Sequence, residues 1–276
     1  MSVRIVVDST CDLIPSLKER VRVVPLTVHF GEEEYVDGVT LTARDFYEKL
    51  VSSEVMPTTS QATPFAFGEV FDEIVNGGDD VVCITCSSGL SGTYQSANIA
   101  SGDHEGKVYV VDSQNIALSS AILAEYALRL VDEGKSAQEI AEELKAVAGK
   151  AHLFAVVDTL EFLQRGGRVS KTVAIAGGLL AIKPIIGVVN GKVEMVGKAR
   201  GNKAANRMMN QEAEKLGIDL TKPVLLGYTG TDDSLLQKYM AECGDFWPEN
   251  TPCTVVSGVV GAHAGPGAVA IAFFAK

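Results

Sequence analysis

Positive charge is scarce in this chain. It has 24 Lys and Arg residues against 35 Asp and Glu residues, and its formal net charge is −11 at pH 7. The phosphates of nucleic acids and the headgroups of anionic lipids are themselves negative, so this balance argues against both as partners. We therefore expect no nucleic acid partner.

The sequence also lacks the patterns of a signal peptide and of a membrane-spanning helix. The first residues have no basic start followed by an apolar run, and they soon reach Asp8. Two stretches, 84–102 and 251–275, carry no Asp, Glu, Lys or Arg. Small polar residues fill the first, and glycines and prolines interrupt the second, so neither offers a continuous apolar helix. We expect a cytoplasmic protein without stable membrane insertion.

Cysteine is sparse, with 5 residues in a chain of 276. An odd, scattered set in a chain of this size does not indicate a disulfide framework. Cys83 and Cys86 form a C-x-x-C pair, but it lies in an apolar run with strand character, whereas thioredoxin-type pairs open a helix. The four histidines show no metal-ligand spacing. We therefore predict neither a redox pair nor a metal site.

Apolar residues make up 46% of the chain and charged residues 21%, so the chain can bury a core. Three short runs rich in β-branched residues, 3–7, 81–85 and 108–111, each end in a polar loop, and helical patterns fill the spaces between them. This alternation predicts βαβ units. We predict an α/β protein whose N-terminal part has a mainly parallel, Rossmann-like sheet flanked by helices.

The order of elements changes near residue 150. Residues 1–150 form the predicted N-terminal α/β domain, and residues 151–276 form a predicted C-terminal α+β domain. Ligands of parallel sheets bind at the carboxyl ends of the strands. The polar loops after the three β-branched runs are therefore the first candidates for a binding site.

The segment CSSGLSGTYQSA, residues 86–97, places small polar residues and two glycines between a strand and a helix. The free amides and the helix dipole at such a point favour an anion, although a capping loop without a ligand fits the same pattern. The segment is neither a Walker loop nor a dinucleotide fingerprint. The chain also lacks the G-x-S-x-G elbow of hydrolases.

Three further groups of residues are candidates for binding. Thr58 and Thr59 in PTTSQ supply hydroxyls that can hold a carboxylate, or they cap the helix that follows. His263 has glycines on both sides in GAHAGPG, which permits a ligand to approach the backbone but also fits a tight turn. Arg168 in QRGGR and Arg200 in KARGNK would attract an anion, or they belong to a solvated surface.

The segment 172–189, TVAIAGGLLAIKPIIGVV, is rich in aliphatic residues and contains paired glycines. A core helix and strand would have this composition. So would the wall of a pocket for a long apolar ligand, because pockets are mainly hydrophobic with few polar groups. Both interpretations stay open at this point.

Seven motifs, taken together and in this order, resemble those of the DegV family. They are DST near the start, PTTSQ, SSGLSGTYQSA, VVDSQ, LEFLQRGGRVS, LLAIKPII and GAHAGPG. The resemblance spans nearly the whole chain. It implies a two-domain α/β protein that binds one long-chain fatty acid, with the carboxylate in the cleft between the domains and the acyl chain in a buried tunnel.

The resemblance also implies a carrier rather than an enzyme. Members of the family present the fatty acid to a separate ATP-binding kinase, similar to dihydroxyacetone kinase, which converts the carboxylate to an acyl phosphate. The carrier itself has no ATP site and needs no cofactor or metal. We therefore expect two partners, a long-chain fatty acid and a dihydroxyacetone kinase-like protein.

Site residues follow from the same resemblance. The family's carboxylate contacts fall in the TTS and SSG motifs and on the glycine-flanked histidine. In this sequence they are Thr58, Thr59, Ser88, the amide of Gly89, and His263. Arg200 matches a family arginine that aids phosphoryl transfer or kinase docking, and Arg168 is a second candidate for that role. The sequence leaves open which of the two threonines donates, and which fatty acid binds.

Two other functions stay open from the residues alone. Ser88, His263 and Asp112 could form the triad of a serine hydrolase, although the missing elbow motif counts against it. The protein could instead be a binding module for a small phosphorylated metabolite. The apolar segment 173–186 argues against that function.

Overall fold

The computed structural model describes residues 2–170 and 181–276. Its strands are β1 Val3–Asp8, β2 Val21–Val24, β3 Thr27–Phe30, β4 Glu33–Val36, β5 Thr58–Ser60, β6 Asp80–Thr85, β7 Val108–Asp112, β8 Ala151–Val156, β9 Ile182–Val189, β10 Lys192–Arg200, β11 Leu225–Tyr228, β12 Cys253–Val255 and β13 Val269–Phe274. Its helices are α1 Pro15–Lys18, α2 Ala43–Ser52, α3 Pro64–Asn76, α4 Thr93–Ser101, α5 Ala117–Asp132, α6 Ala137–Val147, α7 Glu161–Arg165, α8 Asn202–Leu216, α9 Ser234–Cys243 and α10 Gly258–Ala264. Half of the apolar segment 172–189, residues 172–180, lies outside the described residues, and the other half ends in strand β9.

The first sheet is parallel throughout, with the strand order β2-β1-β6-β7. Its strands β1, β6 and β7 are the β-branched runs of the sequence. Helices α3 and α4 pack on one face, and α5 and α6 pack on the other. Cover on both faces is what a parallel sheet requires, because its strands are apolar on both sides. The prediction of an α/β protein with a parallel sheet flanked by helices is confirmed.

A small antiparallel sheet with the order β4-β3-β5 lies beside the first. Its strand β5 contains the TTS motif, and Thr59 pairs in register with Val28 of β3. Side chains alternate between the two faces of a strand, so neighbouring residues of this motif point in opposite directions.

The third sheet is mixed and six-stranded, with the order β10-β9-β8-β13-β11-β12. Its neighbouring strands are antiparallel except for β11 and β12. Strands β9 and β10 form a hairpin whose turn residues, Asn190 and Gly191, have φ values of 49° and 74°. Positive φ at both central residues is typical of the type I′ turn, which favours Asn-Gly.

Helix α5 packs between two sheets. Of its 16 residues, 11 are buried, and they contact β1 and β6 on one side and β8, β11 and β13 on the other. One apolar cluster therefore continues from the parallel sheet into the six-stranded sheet. The domain boundary near residue 150 stays a prediction.

Within residues 2–170 and 181–276, no helix combines the length and the hydrophobicity needed to cross a bilayer.

Helix α6 offers a test of the packing of the parallel sheet. Leu144 on this helix is 0% exposed and lies in the large apolar cluster. Leu144→Ala should lower the free energy of unfolding by about 2–5 kcal/mol, because the truncation removes buried methyl groups and leaves a cavity. Urea denaturation with an unchanged m-value measures this loss, and a variant as stable as the wild type would contradict the packing.

Candidate functional site

A cavity of about 380 Å³ lies beside the carboxyl ends of β1 and β6. Its volume is within the range of small-molecule sites. Most of its wall is aliphatic, and α5, α10 and the six-stranded sheet all contribute to it. Ala155 of β8 and Ala270 of β13 pair in register and both line the cavity. Their short side chains leave room that larger residues would fill.

The polar residues of the wall come from different elements. Thr59 lies on β5, Ser91 in the loop after β6, Arg168 in the turn after α7, and His263 on α10. Thr59 bonds to His263, Arg168 faces His263, and Arg168 bonds to the carbonyl of Leu90, the residue before Ser91, so these four residues form one polar end of the cavity. The cavity therefore joins a polar end to an aliphatic body.

Thr59 and His263 form the centre of this polar end. Thr59 Oγ1 lies 2.9 Å from His263 Nε2, at hydrogen-bond distance. Thr58, the preceding residue, is exposed and does not line the cavity. Of the candidate residues on β5 and α10, the structure brings together Thr59 and His263.

Electrostatics keep the imidazole of His263 neutral. Burial, and then the positive charge of Arg168, lower its pKa from 6.5 to about 4. Its Nδ1 has no hydrogen-bond partner among the described residues. A Cβ at Gly166 would collide with this nitrogen, so a glycine is needed there. A neutral imidazole carries one N–H donor and can therefore hold one carboxylate oxygen without being an ion pair.

Arg168 links the turn after α7 to the loop after β6. Its Nη2 and Nε donate to the carbonyl oxygen of Leu90 at 3.1 and 3.3 Å, and its Nη1 donates to Gly166 O at 2.6 Å. Three of its five N–H groups are thus engaged by backbone carbonyls. Arg168 lines the cavity, and its guanidinium is the positive charge that faces His263.

Ser88 and Gly89 lie away from the cavity wall. Both are exposed, and the Ser88 amide donates to Asp112 Oδ1 at 3.2 Å. The Gly89 amide donates to Ser87 Oγ at 3.1 Å. A Cβ at Gly89 would approach Gly191 O to 2.7 Å, so this glycine allows the loop to pack against the β9–β10 hairpin.

Ser91, which the sequence analysis missed, lines the cavity instead. Its hydroxyl lies 2.9 Å from Thr93 Oγ1 and accepts from the Thr93 amide at 3.2 Å. Ser91 belongs to the same SSGLSG motif as Ser88, three residues further on. The available signal was its position two residues before the start of α4, close enough for its hydroxyl to accept from a free amide of the first turn.

The hydrolase triad is not assembled. The imidazole of His263 bonds through Nε2 to Thr59, and its Nδ1 is unpartnered among the described residues. Neither Ser88 nor Asp112 therefore bonds to the histidine. A serine nucleophile needs a base within hydrogen-bond reach and an orienting group behind it.

Arg200 is the last residue of β10, is exposed and lies outside the cavity wall. It pairs in register with Ile182, at the end of the hairpin where Lys183 forms an ion pair with Asp158. No ion pair of Arg200 is found among the described residues. Its guanidinium is therefore available to solvent or to a partner.

Asp8 of the DST motif does not line the cavity but bonds to two residues that do. One carboxyl oxygen accepts from the Thr10 amide at 2.9 Å and the Thr10 hydroxyl at 2.6 Å, and the other accepts from the Cys86 amide at 2.7 Å. Burial raises the pKa of Asp8 despite these bonds. The carboxyl thus fixes the loops after β1 and β6 relative to each other, and both Thr10 and Cys86 line the cavity.

No group of three or more His, Cys, Asp or Glu side chains within residues 2–170 and 181–276 is arranged to hold a metal ion. Cys83 and Cys86 are both buried and free, and burial raises the pKa of each thiol well above its usual range. A buried thiol of raised pKa is a poor nucleophile. These positions therefore act as small apolar residues.

A model of the DegV family, described as an uncharacterised protein of that family, matches residues 2–276. The chain belongs to the DegV family. It is 35% identical over 283 residues to a DegV domain-containing protein of Caldanaerobacter subterraneus subsp. tengcongensis, and the match covers 99% of each chain.

Two solved structures extend the comparison. A fatty-acid-binding DegV family protein from Thermus thermophilus is 31% identical, with a TM-score of 0.88 and coverage of 100% of each chain. The Fatty Acid Kinase (Fak) B3 protein of Streptococcus pneumoniae, loaded with linoleic acid, shares the fold with a TM-score of 0.86 at 24% identity, again over 100% of each chain. The polar end and the aliphatic cavity of this chain thus lie within a DegV fold.

The lowered pKa of His263 predicts a pH dependence of stability. Below pH 6.5 the unfolded chain takes up a proton on this histidine, whereas the folded protein resists protonation until about pH 4. Stability from this group is therefore complete above pH 6.5 and is lost as the pH falls toward 4, by up to about 1.4 kcal/mol per pH unit.

His263→Gln should remove that part of the pH dependence. The measurement is the unfolding free energy of wild type and variant at several pH values between 6.5 and 4. The advantage of the wild type should shrink as the pH falls. Parallel pH profiles for the two proteins would show that the imidazole is not held neutral in the folded state.

Proposed function

We propose that this protein binds one long-chain fatty acid, with its carboxylate at the Thr59–His263 pair and its acyl chain in the aliphatic cavity. The observation that carries the proposal is the cavity itself, which joins neutral hydrogen-bond donors at one end to an apolar body. Fatty acid binding by the Thermus thermophilus relative supports it. A fatty acid has the same division, with one polar end and one long apolar chain.

The carboxylate would be held by neutral hydrogen-bonding groups, with the positive charge of Arg168 nearby. The hydroxyls of Thr59 and Ser91 and the imidazole of His263 are neutral groups that line the cavity. In the Thr59–His263 bond one partner donates to the other, so this pair keeps one donor for the carboxylate. Arg168 is nearby, but its guanidinium already donates to two backbone carbonyls. Single hydrogen bonds from hydroxyls leave carboxylate oxygen lone pairs free, which a bidentate arginine clamp would occupy.

The apolar chain supplies the affinity. Burial of an acyl chain of about sixteen carbons at roughly 0.8 kcal/mol per CH₂ corresponds to a gross transfer free energy near 12 kcal/mol. The loss of translational and chain freedom reduces this figure. We expect a fatty acid to stay bound through purification.

We further propose that the protein is a carrier that presents the carboxylate to a separate, dihydroxyacetone kinase-like ATP-binding protein, which forms the acyl phosphate. Support comes from the shared fold with the Fatty Acid Kinase (Fak) B3 protein. A carboxylate with a free lone pair is the nucleophile that attack on a phosphoryl group requires. The exposed Arg200 is suited to stabilise phosphate charge or to contact the kinase.

Denaturing organic extraction of the purified protein, followed by mass spectrometry, tests the binding proposal. We expect a near-stoichiometric long-chain fatty acid in the extract. Lipid-free protein that also fails to bind added oleate or stearate would contradict the proposal. Displacement of the fatty acid by glycerol 3-phosphate would instead favour a module for phosphorylated metabolites.

Two matched pairs of variants test the headgroup contacts. Thr59→Val and Ser91→Ala should each weaken oleate binding about tenfold to a hundredfold, because each removes one hydrogen bond to a charged group, worth about 1.5–3 kcal/mol. Their controls, Thr58→Val and Ser88→Ala, change exposed residues outside the wall and should bind oleate as the wild type does. Isothermal titration calorimetry measures all four. Equal losses within either pair would contradict the assignment.

Arg200→Ala tests the transfer step separately. The residue lies outside the cavity, so oleate affinity should stay at the wild-type level while kinase-dependent formation of acyl phosphate slows at least tenfold. A reconstituted assay with a dihydroxyacetone kinase-like protein and ATP measures the rate. Lys198→Ala, another exposed cation of the same strand, is the control for a general loss of positive charge. Unchanged turnover for Arg200→Ala would remove this residue from the transfer step.

A further inference from the structure

Helix α10, which carries His263, connects two strands of the six-stranded sheet but packs against elements outside that sheet. It connects β12 and β13 of the six-stranded sheet, yet it contacts α2, β3, β5 and α7. His263 lies in its last turn and meets Thr59 of β5. The position of this short helix therefore decides whether the two carboxylate-binding side chains meet.

The start of α10 is held by two carboxyl groups from distant parts of the chain. Asp12 Oδ1 accepts from the Ser257 amide at 2.8 Å, and Asp37 Oδ1 accepts from the Gly258 amide at 3.1 Å. The N-cap residue Ser257 provides no side-chain cap of its own. Two free amides of the helix are thus satisfied from outside the segment, by loops that follow β1 and β4.

This arrangement is costly for the folded state. Asp12 and Asp37 are 4% and 3% exposed, and each leaves its Oδ2 without a hydrogen-bond partner among the described residues. Burial raises the pKa of Asp12 to about 8 and that of Asp37 to about 6. Lys18 is the nearby positive charge, and the buried Tyr47 hydroxyl lies close to both.

An N-cap serine hydroxyl accepts from the amide of the second or third helical residue, so it would not satisfy the Ser257 and Gly258 amides that Asp12 and Asp37 hold. Buried polar groups left partly unpaired destabilise a fold. The carboxyl groups of Asp12 and Asp37 therefore have a role other than stability, which is to fix the position and direction of α10. Two acceptors from separate loops define a position, whereas one local cap defines only the start of a helix.

The rest of α10 is closely packed against its neighbours. A Cβ at Gly258 would approach the Phe46 ring to 3.0 Å, and a Cβ at Gly261 would lie 2.6 Å from the Tyr47 hydroxyl. The helix therefore lies directly on the side chains of α2. A shift of its first turn would be carried along its seven residues, about 10 Å, to His263.

We propose that Asp12 and Asp37 are positioning residues, which hold the start of α10 in place and thereby set His263 against Thr59 at the head of the fatty acid site. The effect on ligand binding rests on the proposed function. The effect on the position of the His263 imidazole does not rest on that function, because the Thr59–His263 contact is made in the protein without ligand.

Asp37→Ala and Asp37→Asn, studied in delipidated protein, separate this role from general stability. The first removes the acceptor for the Gly258 amide, and the second retains an acceptor oxygen of the same shape. Nuclear magnetic resonance titration of the imidazole, with His263→Gln to assign the signal, reports the position of His263. Calorimetric titration with oleate reports the carboxylate site.

For Asp37→Ala we expect the pKa of His263 to rise toward its ordinary value of 6.5, because the ring loses its buried position. Oleate affinity should fall roughly tenfold or more. Asp37→Asn should stay close to the wild type in both measurements. Leu144→Ala, which lowers stability far from α10, should change neither. Asp12→Ala is the second variant and should act in the same direction as Asp37→Ala.

Unchanged titration of His263 in both alanine variants would overturn the proposal, as would the same changes in Leu144→Ala. If either alanine variant fails to fold, the other carries the test. A wild type that binds no oleate, while Asp37→Ala still alters the titration of His263, would overturn the fatty acid function and leave the positioning role intact.

Discussion

Thr59 and His263 lie 204 residues apart in the chain, and the 2.9 Å contact between their side chains joins the small antiparallel sheet to a helix of the six-stranded sheet. Several neighbouring residues and elements hold the two side chains in contact. Gly166 leaves space for the imidazole, Arg168 draws the adjacent turn onto the loop after β6, and α5 holds the two larger sheets together. The polar end of the cavity exists where these constraints meet.

Within residues 2–170 and 181–276, no lysine or arginine bonds to the Thr59–His263 pair, and the chemistry of this polar end depends on that. A neutral histidine and hydroxyl groups in a largely apolar wall bind a carboxylate less strongly than a bidentate arginine would. They also leave it more reactive. Arg168 contributes through its field, because it lowers the proton affinity of His263 while its own donors are held by backbone carbonyls.

The fold class could be predicted from the sequence, because β-branched runs and helical periods record burial directly. The family was predicted from the resemblance of seven motifs in order. The geometry of the site could be predicted only in part. Period-two alternation shows that only one of Thr58 and Thr59 can face a cavity, but not which of the two. The path of a loop decides between Ser88 and Ser91, and no local pattern fixes that path.

Other features had no signal in the sequence. Asp12 and Asp37 read as ordinary loop residues, since nothing local shows that a helix more than two hundred residues away brings its amides to them. The need for glycine at position 166 becomes visible only as a collision with an imidazole from another element. Interactions of this kind are properties of the assembled fold, and a single sequence does not display them.

The aliphatic wall of the cavity is part of the same apolar cluster that holds α5 between the two sheets. Ala155 and Ala270 leave a gap in that cluster, and a gap costs the atoms around it their dispersion contacts. A molecule that fills the gap therefore completes the packing of the core as well as occupying a site. A ligand that binds only the folded state lowers the fraction of unfolded protein as the ligand concentration rises. Because proteases degrade the unfolded fraction, the lifetime of the protein in a cell would follow the local supply of its ligand.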